Sequence, residues 1–346
     1  MPYMFTDACG FIEPTLDVLA LSITTSCNLK CDFCSRDAGG RRNYLTPLDI
    51  TNILNSASSF TNLRLITISG GEPTLHPNFF EIMQAAKGYS QKLSINTNGT
   101  TLTSEIIRKM KICGVTSVAL SLDSSNSKLH DEIRGVDGAF NKTLSSINLL
   151  RKNGIRFTLK TTLGKKNVNE LSNLIIFANT LGASKVSVSR TIPIGRAAKN
   201  YDFIEWETYS KSLNDGIKIA KELSIDLVID DPLKIFLNKN SLNKAKDALI
   251  AGEYGGCAAG ISMAYILPNK DVLPCPAFPY VLGNIEESDF KTIWFSEKAN
   301  SIRNRDFLKG KCGSCQLKNI CGGCRGMAYS LTNDIFANDP FCPKTV

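Results

Sequence analysis

The chain has 346 residues, 43% of them hydrophobic and 21% charged, enough for one large domain and a smaller one. Its net charge of +8 comes from 40 Lys and Arg against 32 Asp and Glu, scattered rather than in runs, which reads as solvated surface and not as a nucleic-acid stripe. No apolar run has the length of a membrane span and the first residues lack a signal-peptide pattern, so a cytoplasmic protein is expected, with no membrane or nucleic-acid partner.

Twelve cysteines in that setting argue against a disulfide framework and for metal, and His76 and His130 are too few for sites needing two or three histidines. Cys9 lies in the N-terminal segment 1–17 and reads as a structural or surface thiol. The apolar run Val18-Leu19-Ala20-Leu21-Ser22-Ile23 predicts a buried strand over 18–24. It leads into a loop with Cys27, Cys31 and Cys34 at Cys-x3-Cys-x2-Cys spacing and no fourth cysteine beside them. Structural zinc sites and ordinary iron–sulfur sites take four protein ligands. Three thiolates around a [4Fe–4S] cube leave one iron for a ligand that is not protein; a zinc knuckle is the alternative.

A helix is predicted over 47–59, started by Thr46-Pro47, then a strand over 63–69 that runs into Ser69-Gly70-Gly71-Glu72-Pro73. Glycines there let backbone approach a ligand, although such a pair by itself marks only a turn. Further strands are predicted over 92–97, 116–122, 155–162 and 185–190, with helices over 78–89, 103–113, 138–153, 168–181 and 205–223. Cys113 ends one of these helices and reads as a small buried apolar residue. Repeated βα units imply a parallel sheet covered by helices, whose ligands sit at the carboxyl ends of the strands. Polar segments fall at those ends: Asn96-Thr97-Asn98-Gly99, Ser121-Leu122-Asp123-Ser124 with His130 to Gly135 following, and Thr191 to Arg196. Each of these residues also suits a plain turn, cap or surface position. Residues 224–256 read as a mixed linker, and 257–346 as a loop-rich, cysteine-rich domain. Its pattern is Cys257, Cys275, Cys312-x2-Cys315-x5-Cys321-x2-Cys324, then Cys342. A zinc ribbon on Cys312, Cys315, Cys321 and Cys324 leaves the other three cysteines without work.

The three-cysteine loop with Phe33 before its third cysteine, and Gly70-Gly71-Glu72-Pro73 at the next strand end, resemble the radical S-adenosylmethionine (SAM) superfamily. The C-terminal array resembles its SPASM extension, with two rather than three residues between Cys321 and Cys324 as a departure from the common spacing. The resemblance implies an α/β fold: a partial (β/α)6 TIM-like barrel over 18–223, the linker, and a small iron–sulfur domain over 257–346. It implies a [4Fe–4S] cluster on Cys27, Cys31 and Cys34 with SAM at the open iron, and reductive cleavage of SAM to a 5′-deoxyadenosyl radical. SAM contacts would fall on Phe33, Gly70, Gly71, Glu72, Asn98, Ser121, Asp123, Arg134 and Arg196, with Arg134 a partner for the methionine carboxylate. Two auxiliary [4Fe–4S] clusters are implied, one on Cys312, Cys315, Cys321 and Cys342, the other on Cys257, Cys275 and Cys324 with its fourth ligand unassigned. No general acid or base is assigned. An external flavodoxin- or ferredoxin-like electron donor is implied, and a peptide substrate would call for a separate peptide-binding partner. The leading activity is oxidative modification of a peptide or cofactor precursor; alternatives are a tetrapyrrole side chain, a sugar or a nucleoside, or a non-enzymatic iron–sulfur or zinc protein.

Overall fold

The computed structural model describes residues 3–4, 10–40, 42–199, 201–250, 253–254 and 256–344, so Cys9 lies outside the described residues. A short ribbon pairs β1 (Tyr3–Met4) with β9 (Glu253–Tyr254). The six predicted strands are present as β2 (Val18–Ser22), β3 (Leu63–Ser69), β4 (Ser90–Thr97), β5 (Val115–Ser121), β6 (Arg156–Leu163) and β7 (Lys185–Arg190). They pair in chain order, all parallel. Two more parallel strands extend this run. Within the expected linker, β8 (Asp226–Ile229) pairs with β7, and from the C-terminal segment β10 (Met263–Ile266) pairs with β2. The antiparallel strands β11 (Asp271–Leu273) and β12 (Gly283–Asn284) finish that edge. The sheet's ten strands run β12-β11-β10-β2-β3-β4-β5-β6-β7-β8 and stay open among the described residues.

Residues 224–256 are therefore no plain linker: after β8 come a 3-10 turn at Pro232–Phe236 and helix α8 (Lys239–Ile250). The crossover helices are α1 (Pro47–Ser58), α2 (Phe79–Ala86), α3 (Ser104–Ile112), α4 (Ser127–Arg134), α5 (Ala139–Lys152), α6 (Leu171–Thr180) and α7 (Trp206–Glu222). Thr46 closes a reciprocal capping box with Asp49 at the predicted helix start, and Thr103 accepts from the Ile106 N–H, satisfying helix-start donors. Helix α4 was not foreseen; it starts at an Asn126 cap and stops at Gly135, whose φ of +67° an L side chain rarely adopts. The C-terminal segment holds only short helices, α9 (Phe290–Trp294), α10 (Glu297–Ser301), α11 (Gly310–Gly313) and α12 (Arg325–Thr332).

Strand alternation sorts the two faces. Leu19, Leu21, Ile66, Ile68, Val118 and Leu120 point to the helices and join one large core. The other face carries Ser22, Thr67, Ser94, Ala119, Thr158 and Ser187 on successive strands. A closed barrel fills its interior with branched aliphatic side chains; here small and hydroxylated residues face inward from β2 to β7, while Tyr265 and Leu273 make the β10–β11 end of that face apolar. Among the described residues no helix is long and apolar enough to cross a membrane.

Candidate active site

The Cys27–Cys34 loop leaves the carboxyl end of β2 and is fixed from several sides. The Gly71 N–H donates to the Thr24 carbonyl (2.8 Å) and the Glu72 N–H to that of Ser26 (2.8 Å). Cβ atoms at Gly70 and Gly71 would collide with Thr24 and Ser26 backbone, so glycine is needed there because the cysteine loop itself packs on the turn. Lys30 and Asp32 N–H groups donate to the Arg134 and Ile133 carbonyls at the end of the helix Ser127–Arg134. Arg196 binds the Cys31 carbonyl (3.0 Å), the Ala38 carbonyl (2.7 Å) and the Asp37 carboxylate, while its own N–H donates to the Cys34 carbonyl.

Each of the three sulfurs receives one donor. Leu29 N–H reaches Cys27 Sγ (3.4 Å), Ala38 N–H reaches Cys34 Sγ (3.5 Å) and Arg134 Nη1 reaches Cys31 Sγ (3.6 Å). Burial pushes the Cys27 thiol up to about 11, reinforced by Glu72, Cys31 and Cys34, and burial also raises Cys31. Burial thus favours the neutral thiols of Cys27 and Cys31, and a metal bound there would displace their protons.

The other predicted residues are brought to the same strand ends, with protein partners of their own. Glu72 is fully buried and accepts from Thr97 Oγ1 (2.7 Å), Thr74 Oγ1 (2.7 Å) and the Asn98 N–H (2.8 Å), tying the end of β3 to that of β4. Asn98 donates to Asn28 Oδ1 (2.9 Å) in the cysteine loop. Ser121 ends β5 on the inner face. Arg134 is committed to Asp123 at 2.6 Å, beneath Phe33 at 5.2 Å, and Asp123 also accepts from Thr161 and Thr162. Arg134, the residue expected to meet a methionine carboxylate, thus has Asp123 as its counter-ion in this structure, while its Nε makes no hydrogen bond among the described residues. Beside Phe33 lies a cavity of about 320 Å³ bordered by Asp32, Thr162, Lys166, Thr191, Ala197 and Tyr201.

In the C-terminal segment, burial pushes the Cys275 thiol up to about 12 with Cys257 adding to it, and raises Cys324 strongly, again with Cys257 adding. Burial likewise raises Cys321 and Cys342, with Cys312 adding to both. Cys315 Sγ accepts from the Leu317 N–H (3.4 Å) and from Lys344 Nζ (3.7 Å). The cysteines therefore fall into two neighbourhoods, one around Cys257 and one around Cys312. All eleven described cysteines are free thiols; Cys113 is buried among apolar residues. Among the described residues no three His, Cys, Asp or Glu side chains converge closely enough to hold a single metal ion. A cube that binds each thiolate through a different iron needs sulfurs set wider apart, and chemically soft, uncrosslinked thiols suit it.

A buried network that single-residue reading missed joins the two halves. Arg190, at the end of β7, lies 3.0 Å from Asp231 and 3.3 Å from Asp339 and covers the Phe341 ring at 4.2 Å. Its Nε faces Asp231 off-axis, as an ion pair rather than a directed hydrogen bond. Tyr209 donates to Asp231 (3.0 Å), while Asp339 accepts from the N–H groups of Cys324 and Phe341 (both 2.9 Å). The only local signal was an acid just ahead of Pro340-Phe341-Cys342.

With this geometry in hand, comparison with known proteins places the chain in a family. The radical SAM superfamily profile matches residues 21–178, and that of SPASM, an iron–sulfur cluster-binding domain, matches residues 257–324. The chain belongs to the radical SAM superfamily and is an enzyme of its SPASM-bearing kind. It is 32% identical over 335 residues to an AdoMet-dependent heme synthase of Methanosarcina barkeri strain Fusaro, spanning 94% of this chain and 95% of that protein. It is 25% identical over 334 residues to a PqqA peptide cyclase of Methylocella silvestris, spanning 94% of this chain and 86% of that protein. The fold resembles that of Streptococcus suis SuiB bound to S-adenosylmethionine, with a TM-score of 0.79 at 20% identity over 97% of this chain and 79% of that one.

Proposed function

We propose that this enzyme modifies side chains of a tetrapyrrole by hydrogen abstraction, with net oxidation of the substrate. What carries the substrate reading is the end-to-end likeness to a heme synthase, which covers the barrel and the cysteine-rich segment together. Cys27, Cys31 and Cys34 would hold the core cluster. Cys257, Cys275 and Cys324 would hold one auxiliary cluster and Cys312, Cys315, Cys321 and Cys342 the other. When bound, the core cluster supplies the electron that cleaves SAM, and the auxiliary clusters supply further sites for electrons.

The chain's own residues set the stage for that chemistry. Gly70, Gly71 and Glu72 hold the cysteine loop against the sheet. Asn98, Ser121 and Asp123 line the strand ends where the ribose and methionine of SAM would lie, and the cavity beside Phe33 would take the adenosine. Arg196 positions the loop through its carbonyls. The polar inner face then gives the substrate room next to the site of hydrogen abstraction. An external one-electron donor is required. A peptide is the second reading, supported by the likeness to the peptide cyclase. The test is anaerobic turnover with SAM, a strong reductant and iron coproporphyrin III deuterated at its side chains. Deuterium in 5′-deoxyadenosine with a mass loss in the porphyrin is the result expected; 5′-deoxyadenosine without label and an unchanged porphyrin would turn the reading towards a peptide.

A further inference from the structure

The cations around the strand ends are mostly spoken for. Arg134 pairs with Asp123, Arg196 with Asp37, Arg190 with Asp231 and Asp339, Lys165 with Asp202, and Lys166 with Asp32 and Glu132. Among the described residues, two basic residues that face the interior, Lys160 and Arg36, have no carboxylate partner. Lys160 sits on β6 between Leu159 and Thr161, whose neighbours Leu159 and Leu163 join the helix-side core, so strand alternation turns Lys160 inward. It is half-buried and stands in register with Ser121 on one side and Ser187 on the other. Among the described residues its Nζ makes no hydrogen bond or ion pair. Asp230, the carboxylate beside Ser187, accepts from the Ser187 hydroxyl (2.7 Å) instead.

Arg36 is the second. It follows Cys34 by two residues and reaches across to the C-terminal segment, where Nη2 donates to the Pro276 carbonyl (2.6 Å), next to Cys275. Its guanidinium lies 5.6 Å from the ring centre of Tyr265, in the apolar cluster with Ala20 and Leu273 on the sheet's inner face. Its Nε is buried and has no hydrogen-bond partner among the described residues. Its Nη1 makes no hydrogen bond among the described residues and, unlike Nε, is not sealed in, so that edge of the guanidinium is open to a ligand. Arg36 therefore stands in the gap between the core cysteine loop and the Cys275 loop with donors to spare.

We infer that Arg36 and Lys160 are specificity-determining residues that receive carboxylates of the substrate, one from the wall formed by β10 and β2 and the other from β6. This rests on the proposed tetrapyrrole reading and adds to it that the substrate is taken as its free acid. A planar guanidinium suits bidentate carboxylate binding, and a flexible ammonium suits a carboxylate whose position varies. The experiment is an absorbance titration of the cluster-loaded protein with iron coproporphyrin III, which carries four carboxylates, and with its tetramethyl ester. The native chain should bind the acid more tightly than the ester. Arg36→Gln and Lys160→Gln should each weaken the acid about ten-fold, leave the ester unchanged, and keep iron content and SAM affinity. Arg36→Lys, which keeps the charge, should recover part of the loss and separates lost charge from lost folding. If the native chain prefers the acid and both Gln variants bind it equally well, this assignment is wrong and the tetrapyrrole reading stands. If the native chain binds neither porphyrin, the tetrapyrrole reading fails and the assignment with it. A variant that loses SAM affinity but keeps the acid would give its cation to the methionine carboxylate, which also overturns the assignment.

Discussion

Replacing Gly71 with Ala tests how the barrel shapes its cysteine loop. A Cβ there overlaps the Ser26 carbonyl oxygen and falls 2.8 Å from the Ser26 carbonyl carbon and 2.9 Å from Cys27 Cβ. Comfortable carbon contacts begin near 3.5 Å, so the Ser26–Cys27 backbone must retreat by roughly 1 Å. The obstacle is backbone, which cannot rotate away, and it is pinned by the hydrogen bond from the Glu72 N–H to the Ser26 carbonyl (2.8 Å). Overpacking of this kind costs about 1–3 kcal/mol, and it falls on the one cysteine whose spacing from Cys31 and Cys34 the core cluster needs. The assay is iron content and visible absorbance after anaerobic reconstitution. Gly71→Ala should lose about four irons relative to the native chain while keeping its far-ultraviolet circular dichroism. Gly40→Ala is the control, since a Cβ there meets nothing within 4 Å among the described residues. If Gly71→Ala retains the same iron as Gly40→Ala, the argument that this turn sets the position of Cys27 is refuted.

Arg190→Met would leave the buried carboxylates of Asp231 and Asp339 facing each other without their cation, a loss of about 3–5 kcal/mol seen as a lower denaturant midpoint of the cluster-loaded protein; a change below about 1 kcal/mol would contradict that role. His130 is buried, with its pKa lowered to about 3 from 6.5 by burial and by Arg134. Its folded form stays neutral while the unfolded form charges, so its contribution is complete above about pH 6.5 and drains away as pH falls towards 3, by up to about 5 kcal/mol. The slope of unfolding free energy between pH 6.5 and 4 should flatten in His130→Gln; an identical slope would show that His130 is not the group responsible.

The six central strands could be placed within a few residues because their aliphatic residues alternate or run together between turn residues, as in Leu63 to Ser69. Helix α4 escaped notice because Ser127 to Arg134 is mostly polar and buries only His130, Ile133 and Arg134. Strand β8 has four residues in a charged stretch, and β10 joins β2 across more than two hundred residues of chain, so neither had a local signature strong enough to show. The cysteines were legible because their chemistry is carried by residue type and short spacing. What surrounds them was not. Arg190, Asp231 and Asp339 each look like an ordinary surface charge in sequence, and only the fold brings them together in the interior. Arg36 and Lys160 were equally silent, since an unpaired cation is recognised by its surroundings.

The central claim is that Cys27, Cys31 and Cys34 make this chain a SAM-cleaving enzyme. Its most direct test is 5′-deoxyadenosine formed by anaerobically reconstituted protein given SAM and a strong reductant, compared with the variant carrying Ala at all three positions. The account predicts steady formation by the native chain and none by the triple variant, which should still keep the absorbance of its C-terminal clusters. Formation at the same rate in both would contradict it.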